Sequence, residues 1–212
     1  MNTVITISRQ FGSGGRLIGK MLARKLGIPF YDKEIIEQAS EKSGLAQEFI
    51  KENEQKRKGI SSYAIPTSAW GGAWSNFDNL EARIYASEAE AIEKFAKQGP
   101  CVIVGRCADY VLKGKYRCLN VFIHSDTESR IKRIIEVYGD AKDKKKAQKI
   151  IKDADKSRAR HYKYYTDAEW GGASNYHLCV NSAAFGVDRC VELLAESYAK
   201  FDAEQDGSQN GK

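Results

Sequence analysis

The chain has 212 residues, 42% hydrophobic and 29% charged, with a formal net charge of +6. That length points to one domain that can bury a core without help from metals or disulfides, and no run of about 18 apolar residues marks a membrane span. The N-terminus enters a strand-like run at once, unlike a signal peptide, so the chain reads as cytoplasmic. The five cysteines form no C-x-x-C pair, which argues against both a metal site and a disulfide framework. The positive balance suits an anionic partner.

Thr3 to Ser8 reads as a short buried strand, followed by the cluster Gly12-Ser13-Gly14-Gly15. Arg16 to Leu26 carries an apolar stripe of Leu17, Ile18, Met21, Leu22 and Leu26, which predicts a helix stopped by Gly27. Ile28 to Tyr31 is a short extended piece. Asp32 is a good cap for a helix over 33–42, and a second helix is expected at 45–57. The loop 59–77, with Pro66, Trp70, Gly71, Gly72 and Trp74, is long enough to suggest function or mobility.

A helix is expected from 78 to 98. The fully apolar Cys101-Val102-Ile103-Val104 suggests a central parallel strand. Leu119 to Ile123 is another strand, followed by a basic helix at about 126–138 and a very polar one at about 142–164. His177 to Val180 is the last strand and 187–201 the last helix. Strands alternating with helices predict a three-layer α/β fold: a parallel central sheet, helices on both faces, and a helical lid or insert. The expected organisation is one domain over 1–202. It carries a helical insert with a mobile loop at 45–100 and a lid-like helix at 140–165. A disordered tail is expected over 203–212.

Strand, glycine turn and helix N-terminus together hold phosphates, because backbone N–H groups and the helix dipole face the anion. Two registers of the loop compete. The literal G-x-x-x-x-G-K spans Gly14 to Lys20, but Met21 follows where Ser or Thr belongs. The other starts at the strand end and runs Arg9-Gln10-Phe11-Gly12-Ser13-Gly14-Gly15-Arg16-Leu17. A dinucleotide fingerprint beginning Gly12-x-Gly14 would need a small residue where Leu17 stands. Gly105-Arg106-Cys107-Ala108-Asp109 follows the buried strand directly. Its arginine offers a planar fork for phosphate, unless it simply pairs with Asp109 or another acid nearby. Arg130 and Arg133 share a helix face. His161-Tyr162-Lys163-Tyr164-Tyr165 reads as a helix packing its aromatic side, more than as a single-strand binder.

Met21-Leu22-Ala23-Arg24-Lys25-Leu26-Gly27 resembles the helix that follows the phosphate loop in cytidylate kinases, and this favours the strand-end register. Gly105-Arg106 resembles their acceptor-binding segment, with Cys107 in place of an aspartate. Asp155-x-x-Arg158 resembles their acceptor-reading D-x-x-R, with Ile151 where they carry a further arginine. Together these segments are similar to the cytidylate kinase-like family. The resemblance implies a phosphotransferase with ATP or another NTP as donor, Mg²⁺ as a possible cofactor and a nucleotide-like acceptor. Small-molecule nucleotides rather than nucleic acid or a membrane are then the expected partners. It implies a phosphate-binding loop of Gly12, Ser13, Gly14, Gly15 and Arg16. The expected catalytic cations are Arg16, Arg130, Arg133, Arg158 and Arg160. The expected acceptor-binding residues are Asp32, Arg106, Asp109, Asp155 and Arg158.

In this register the family lysine falls on Gly15 and the magnesium-binding hydroxyl on Leu17. Arg16 is expected to replace the lysine, with Arg9 as a second source of charge. Ser13, Asp32, Asp109 or water are the expected metal ligands. The same departures open an alternative, a nucleotide or phosphometabolite sensor without turnover.

Overall fold

A computed structural model describes residues 3–43 and 73–209. Five strands form one sheet: β1 (Val4–Arg9), β2 (Phe30–Tyr31), β3 (Val102–Val104), β4 (Cys118–His124) and β5 (Leu178–Asn181). Their order is β2-β3-β1-β4-β5 and every pairing is parallel. β1 is central, between β3 and β4. Chain connections leave β1 toward β2 and β4 toward β5, so the strand order reverses beside the end of β1. In open α/β sheets that reversal opens a crevice for ligands.

Side-chain alternation along the strands builds two cores. Ile5, Ile7, Val102, Val104, Leu119, Val121 and Ile123 face α1 (Gly15–Leu26) and the last helix, which add Ile18, Leu22, Val191 and Leu194. Val4, Cys101, Ile103 and Cys118 face the other way, against Ile35 of α2 (Lys33–Ser43) and Ala91, Ile92 and Phe95 of α3 (Ala73–Gln98). Val111 and Leu112, at the end of the one-turn α4 (Ala108–Val111), close that side. Burial on both faces is why these strands read as apolar runs. Gly27 caps α1 with a left-handed φ of 67°, its N–H donating to the carbonyls of Ala23 and Arg24.

A third cluster lies outside the sheet. α5 (Thr127–Arg133) runs into a π-helical turn, Ile134–Tyr138, and α6 (Lys144–Thr166) crosses beside it. Ile131, Ile134, Ala147 and Ile151 pack there with Phe11 of the glycine loop. Position 151, where the resemblance puts an arginine, is therefore core.

The expected helix at 45–57 and most of the 59–77 loop lie outside the described residues. The helix expected from 78 begins at Ala73. The final helix, α7 (Ser182–Gln209), starts earlier than expected and bends at Gly186. The polar stretch from Ala203, expected to lack structure, continues it to Gln209. Tyr162 is buried and Tyr165 stacks on Tyr85 at 3.8 Å, so the aromatic side of α6 is a packing surface. Among the described residues no helix is long and apolar enough to cross a membrane.

Leu22 is fully buried in the core between α1 and the sheet. Leu22→Ala is expected to cost about 2–5 kcal/mol of unfolding free energy in urea titrations, and an unchanged midpoint would contradict this packing.

Candidate functional site

The loop 10–14 joins β1 to α1 and curls tightly, with Gly12 and Gly14 both at φ 79°. Side chains from distant segments satisfy its carbonyls. Arg130 Nε donates to the Phe11 carbonyl at 2.7 Å and Arg133 Nη1 to that of Gly12 at 2.7 Å. Arg158 Nη1 reaches the Arg9 carbonyl at 3.3 Å, and Ser182 Oγ donates to that of Ser13 at 2.5 Å. Gln10 Oε1 accepts from the Ser125 N–H at 3.1 Å, tying the loop to the end of β4.

Asp155 of α6 accepts the Phe11 N–H at 2.8 Å through one oxygen and pairs with Arg130 through the other. Among the described residues the N–H groups of Gly12, Gly14 and Arg16 have no protein acceptor. These amides sit at the N-terminus of a twelve-residue helix with no acid in its first turn. Such an end is electropositive and takes anions.

Arg133 lies over this turn, since a Cβ on Gly14 would meet its Cζ at 3.3 Å. Arg158 stacks its guanidinium on the Phe11 ring at 5.4 Å and stands 3.6 Å from Asp155. Burial and the like charge of Arg9 push its pKa down to about 9, with Arg130 adding to the effect and Asp155 opposing it. It is still charged at neutral pH.

A second cationic group surrounds Asp32, just after β2. Arg16 Nε binds its carboxylate at 2.5 Å, with Arg9 at 3.7 Å and Arg106 at 3.9 Å. Arg106 follows β3 in a segment where Gly105, Arg106 and Cys107 all have positive φ, between 53° and 82°. Left-handed non-glycine residues cost of order 1–3 kcal/mol each and gather at functional sites. This turn aims the Arg106 side chain at Glu88 on α3 (Nε to Oε1 3.0 Å) and at the Asp32 carbonyl (3.3 Å).

Several sequence expectations change here. Arg16 is 60% exposed and spends its Nε on Asp32. Asp155, expected on the acceptor side, spends its oxygens on the loop and Arg130. Asp109 does not pair with Arg106. It is a buried residue of α4, where it accepts the Tyr162 hydroxyl at 2.6 Å, and desolvation raises its pKa. Arg160 is exposed on α6, about 200° around the helix from Arg158. Glu88 was not legible in the sequence, because nothing in α3 marks which acid turns inward.

The donor set for a divalent cation is poor. Ser13 is fully buried and donates its hydroxyl to the Gln10 carbonyl at 2.9 Å. Leu17, at the usual hydroxyl position, is an exposed hydrocarbon. Among the described residues no three His, Cys, Asp or Glu side chains converge as ligands.

The sequence profile of the cytidylate kinase-like family matches residues 4–184, and the chain belongs to that family. No curated protein matches it in sequence. A crystal structure of an uncharacterized protein from Eubacterium ventriosum ATCC 27560 is similar, with TM-score 0.65 and 26% identity, covering 92% of this chain and 97% of that one. Shikimate kinase from Bacteroides thetaiotaomicron superposes with TM-score 0.54 at 16% identity, covering 94% of this chain and 99% of that one. A gluconokinase from Sinorhizobium meliloti 1021 gives TM-score 0.51 at 16% identity, covering 93% and 96%. The fold is that of the phosphate-loop kinases.

Asp155→Asn removes the charge that pairs with Arg130 while keeping an acceptor for the Phe11 N–H. Breaking a buried pair on one side costs about 3–5 kcal/mol, so a loss near the low end is expected in denaturant titrations, given partial exposure of Asp155. Asp109 yields a pH prediction. Burial raises its pKa in the folded state above the ordinary carboxylate value, so the folded chain holds the proton longer and stability falls as pH rises through that window. Asp109→Asn should therefore gain stability relative to wild type on going from pH 4 to pH 7. A difference independent of pH would contradict the buried ionised carboxylate.

Proposed function

We propose that this member of the cytidylate kinase-like family transfers a phosphoryl group from ATP, or another NTP, to a nucleotide-like acceptor bearing a phosphate. The observation that carries the reading is the set of uncommitted amides of Gly12, Gly14 and Arg16 at the head of α1. Arginines from β1, α5 and α6 surround them, and a further arginine, Arg106, stands at the adjacent strand end.

In this reading the donor polyphosphate lies on the amides, with Arg133 and Arg158 beside it, and Arg130 holds the loop in shape. Arg106 and Arg16, gathered at Asp32, take the acceptor's phosphate. The acceptor oxygen attacks the terminal phosphorus, the bond to the bridging oxygen breaks, and the leaving diphosphate keeps the electron pair. Charge spreads over the transferring group, and fixed guanidinium donors stabilise it in a partly dry site.

A phosphate acceptor is favoured over an alcohol for a chemical reason. A phosphate oxygen is already ionised near neutral pH, so no base is required. Asp32, Glu88 and Asp155 are each engaged by arginine, which leaves them poorly placed to take a proton from a hydroxyl. Any Mg²⁺ would arrive with the nucleotide, since Leu17 and the committed Ser13 supply no loop ligand.

The second reading, a nucleotide or phosphometabolite sensor without turnover, draws on the missing lysine and hydroxyl. Incubation with ATP, Mg²⁺ and a panel of mononucleotides is expected to give a nucleoside diphosphate from at least one acceptor. Arg106→Ala should raise the KM for that acceptor by about 10–100-fold, the size of a charged hydrogen bond. ATP binding without transfer to any acceptor would leave the sensor.

A further inference from the structure

The ordinary phosphate loop, G-x-x-x-x-G-K, opens with glycine and places lysine directly after its second glycine. In the register fixed above, those positions are Arg9 and Gly15. The two residue types have changed places. A Cβ built on Gly15 would lie 2.6 Å from the Cβ of Arg9 and 3.1 Å from its Cγ. Carbon atoms settle at about 3.5–4.0 Å, so positions 9 and 15 cannot both carry side chains on this backbone. One of them must be glycine. The ordinary loop makes it the first, and this chain makes it the second.

The Arg9 stem therefore occupies the space that a side chain at position 15 would enter. Its head continues to the end of the neighbouring strand. A Cβ on Gly105 would fall on Arg9 Nη1, so a second glycine clears the way there. The guanidinium finishes 3.7 Å from Asp32, with the side chain 20% exposed. Two glycines, one at the head of α1 and one after β3, thus flank one arginine along its length. Arg16, the nearer candidate in sequence, is on the open side of Asp32.

We propose that Arg9 is the phosphate-binding cation of this loop, exchanged in position with the glycine that ordinarily precedes it. The ligand assigned to it, the donor's terminal phosphate, rests on the phosphotransfer reading; the exchange itself rests on geometry alone. Arg9 starts at the donor loop and ends beside Arg106, so its planar head spans the gap a transferred phosphoryl group crosses. Arg9, Arg16 and Arg106 converge on the Asp32 carboxylate, so an anion arriving there would meet three guanidinium groups.

The test is titration calorimetry with ATP on the full chain, alongside thermal melting. Arg9→Gln keeps the stem and loses the charge; it should melt near wild type and bind ATP at least about tenfold more weakly. Arg9→Gly should also lose affinity, and the double variant Arg9→Gly/Gly15→Lys, which restores the ordinary order, should recover most of it. Arg9→Gln binding as tightly as wild type would overturn the proposal, as would a double variant no better than Arg9→Gly. If wild type itself binds no ATP, the phosphotransfer reading falls and melting decides the exchange. Gly15→Ala should lower Tm more in the Arg9 background than with Arg9→Gly, and equal shifts would overturn the exchange.

Discussion

The carbonyl oxygens of residues 9–13 have to be satisfied by something, and in this chain guanidinium groups do most of that work. A tight glycine turn cannot pair its own backbone as a helix or sheet does, and leaving carbonyls and amides unpaired out of water is costly. Arg158, Arg130 and Arg133 donate to the carbonyls of residues 9, 11 and 12, and Ser182 to that of 13. With the carbonyls occupied, the acceptors for the remaining amides must come from elsewhere. A phosphate is the group whose oxygens match that demand. The nest is therefore shaped before any ligand arrives, which spares the binding step the entropy of ordering the loop.

The same bonds join α6 to the glycine loop. Asp155 lies on α6 and Phe11 in the loop, and their contact anchors the helix directly to the loop. Ile151, one turn earlier, packs in the cluster that holds Phe11. Because α6 is held by both an ion pair and an apolar contact, it belongs to the frame of the site. Farther along it, the Tyr162 hydroxyl on Asp109 and the Tyr165 ring on Tyr85 fix the helix to the sheet side.

Most of the frame was legible because its causes are local. Buried parallel strands such as Val102–Val104 are continuous apolar runs, α1 declares itself by its stripe, and Gly27 by its left-handed cap. Arg130 and Arg133, three apart, were bound to share a face, and both reach the loop. The pairings were hidden because they cross long stretches of chain. Asp155 meets a residue 144 positions away, and Arg106 chooses Glu88, eighteen residues back on α3, over the acid three residues ahead. Spacing favoured Asp109, but the left-handed turn at Gly105 to Cys107 carries Arg106 and Asp109 to different sides of the chain. No period in the sequence encodes that turn.

On the proposed reading, the sheet and loop fix where phosphates lie, and the groups at the acceptor end decide what else is recognised. In this chain that end is built from Asp32, Glu88, Arg16 and Arg106, with Arg9 reaching across from the loop. Two carboxylates and three arginines hold one another in place there. On the proposed reading, an anionic acceptor would use the fork geometry of the guanidinium groups more fully than an uncharged alcohol. Arg106 sits on a left-handed backbone and already holds Glu88, so an acceptor taken there as proposed would compete with an existing ion pair, and one that offers oxygens in the same plane would do so best.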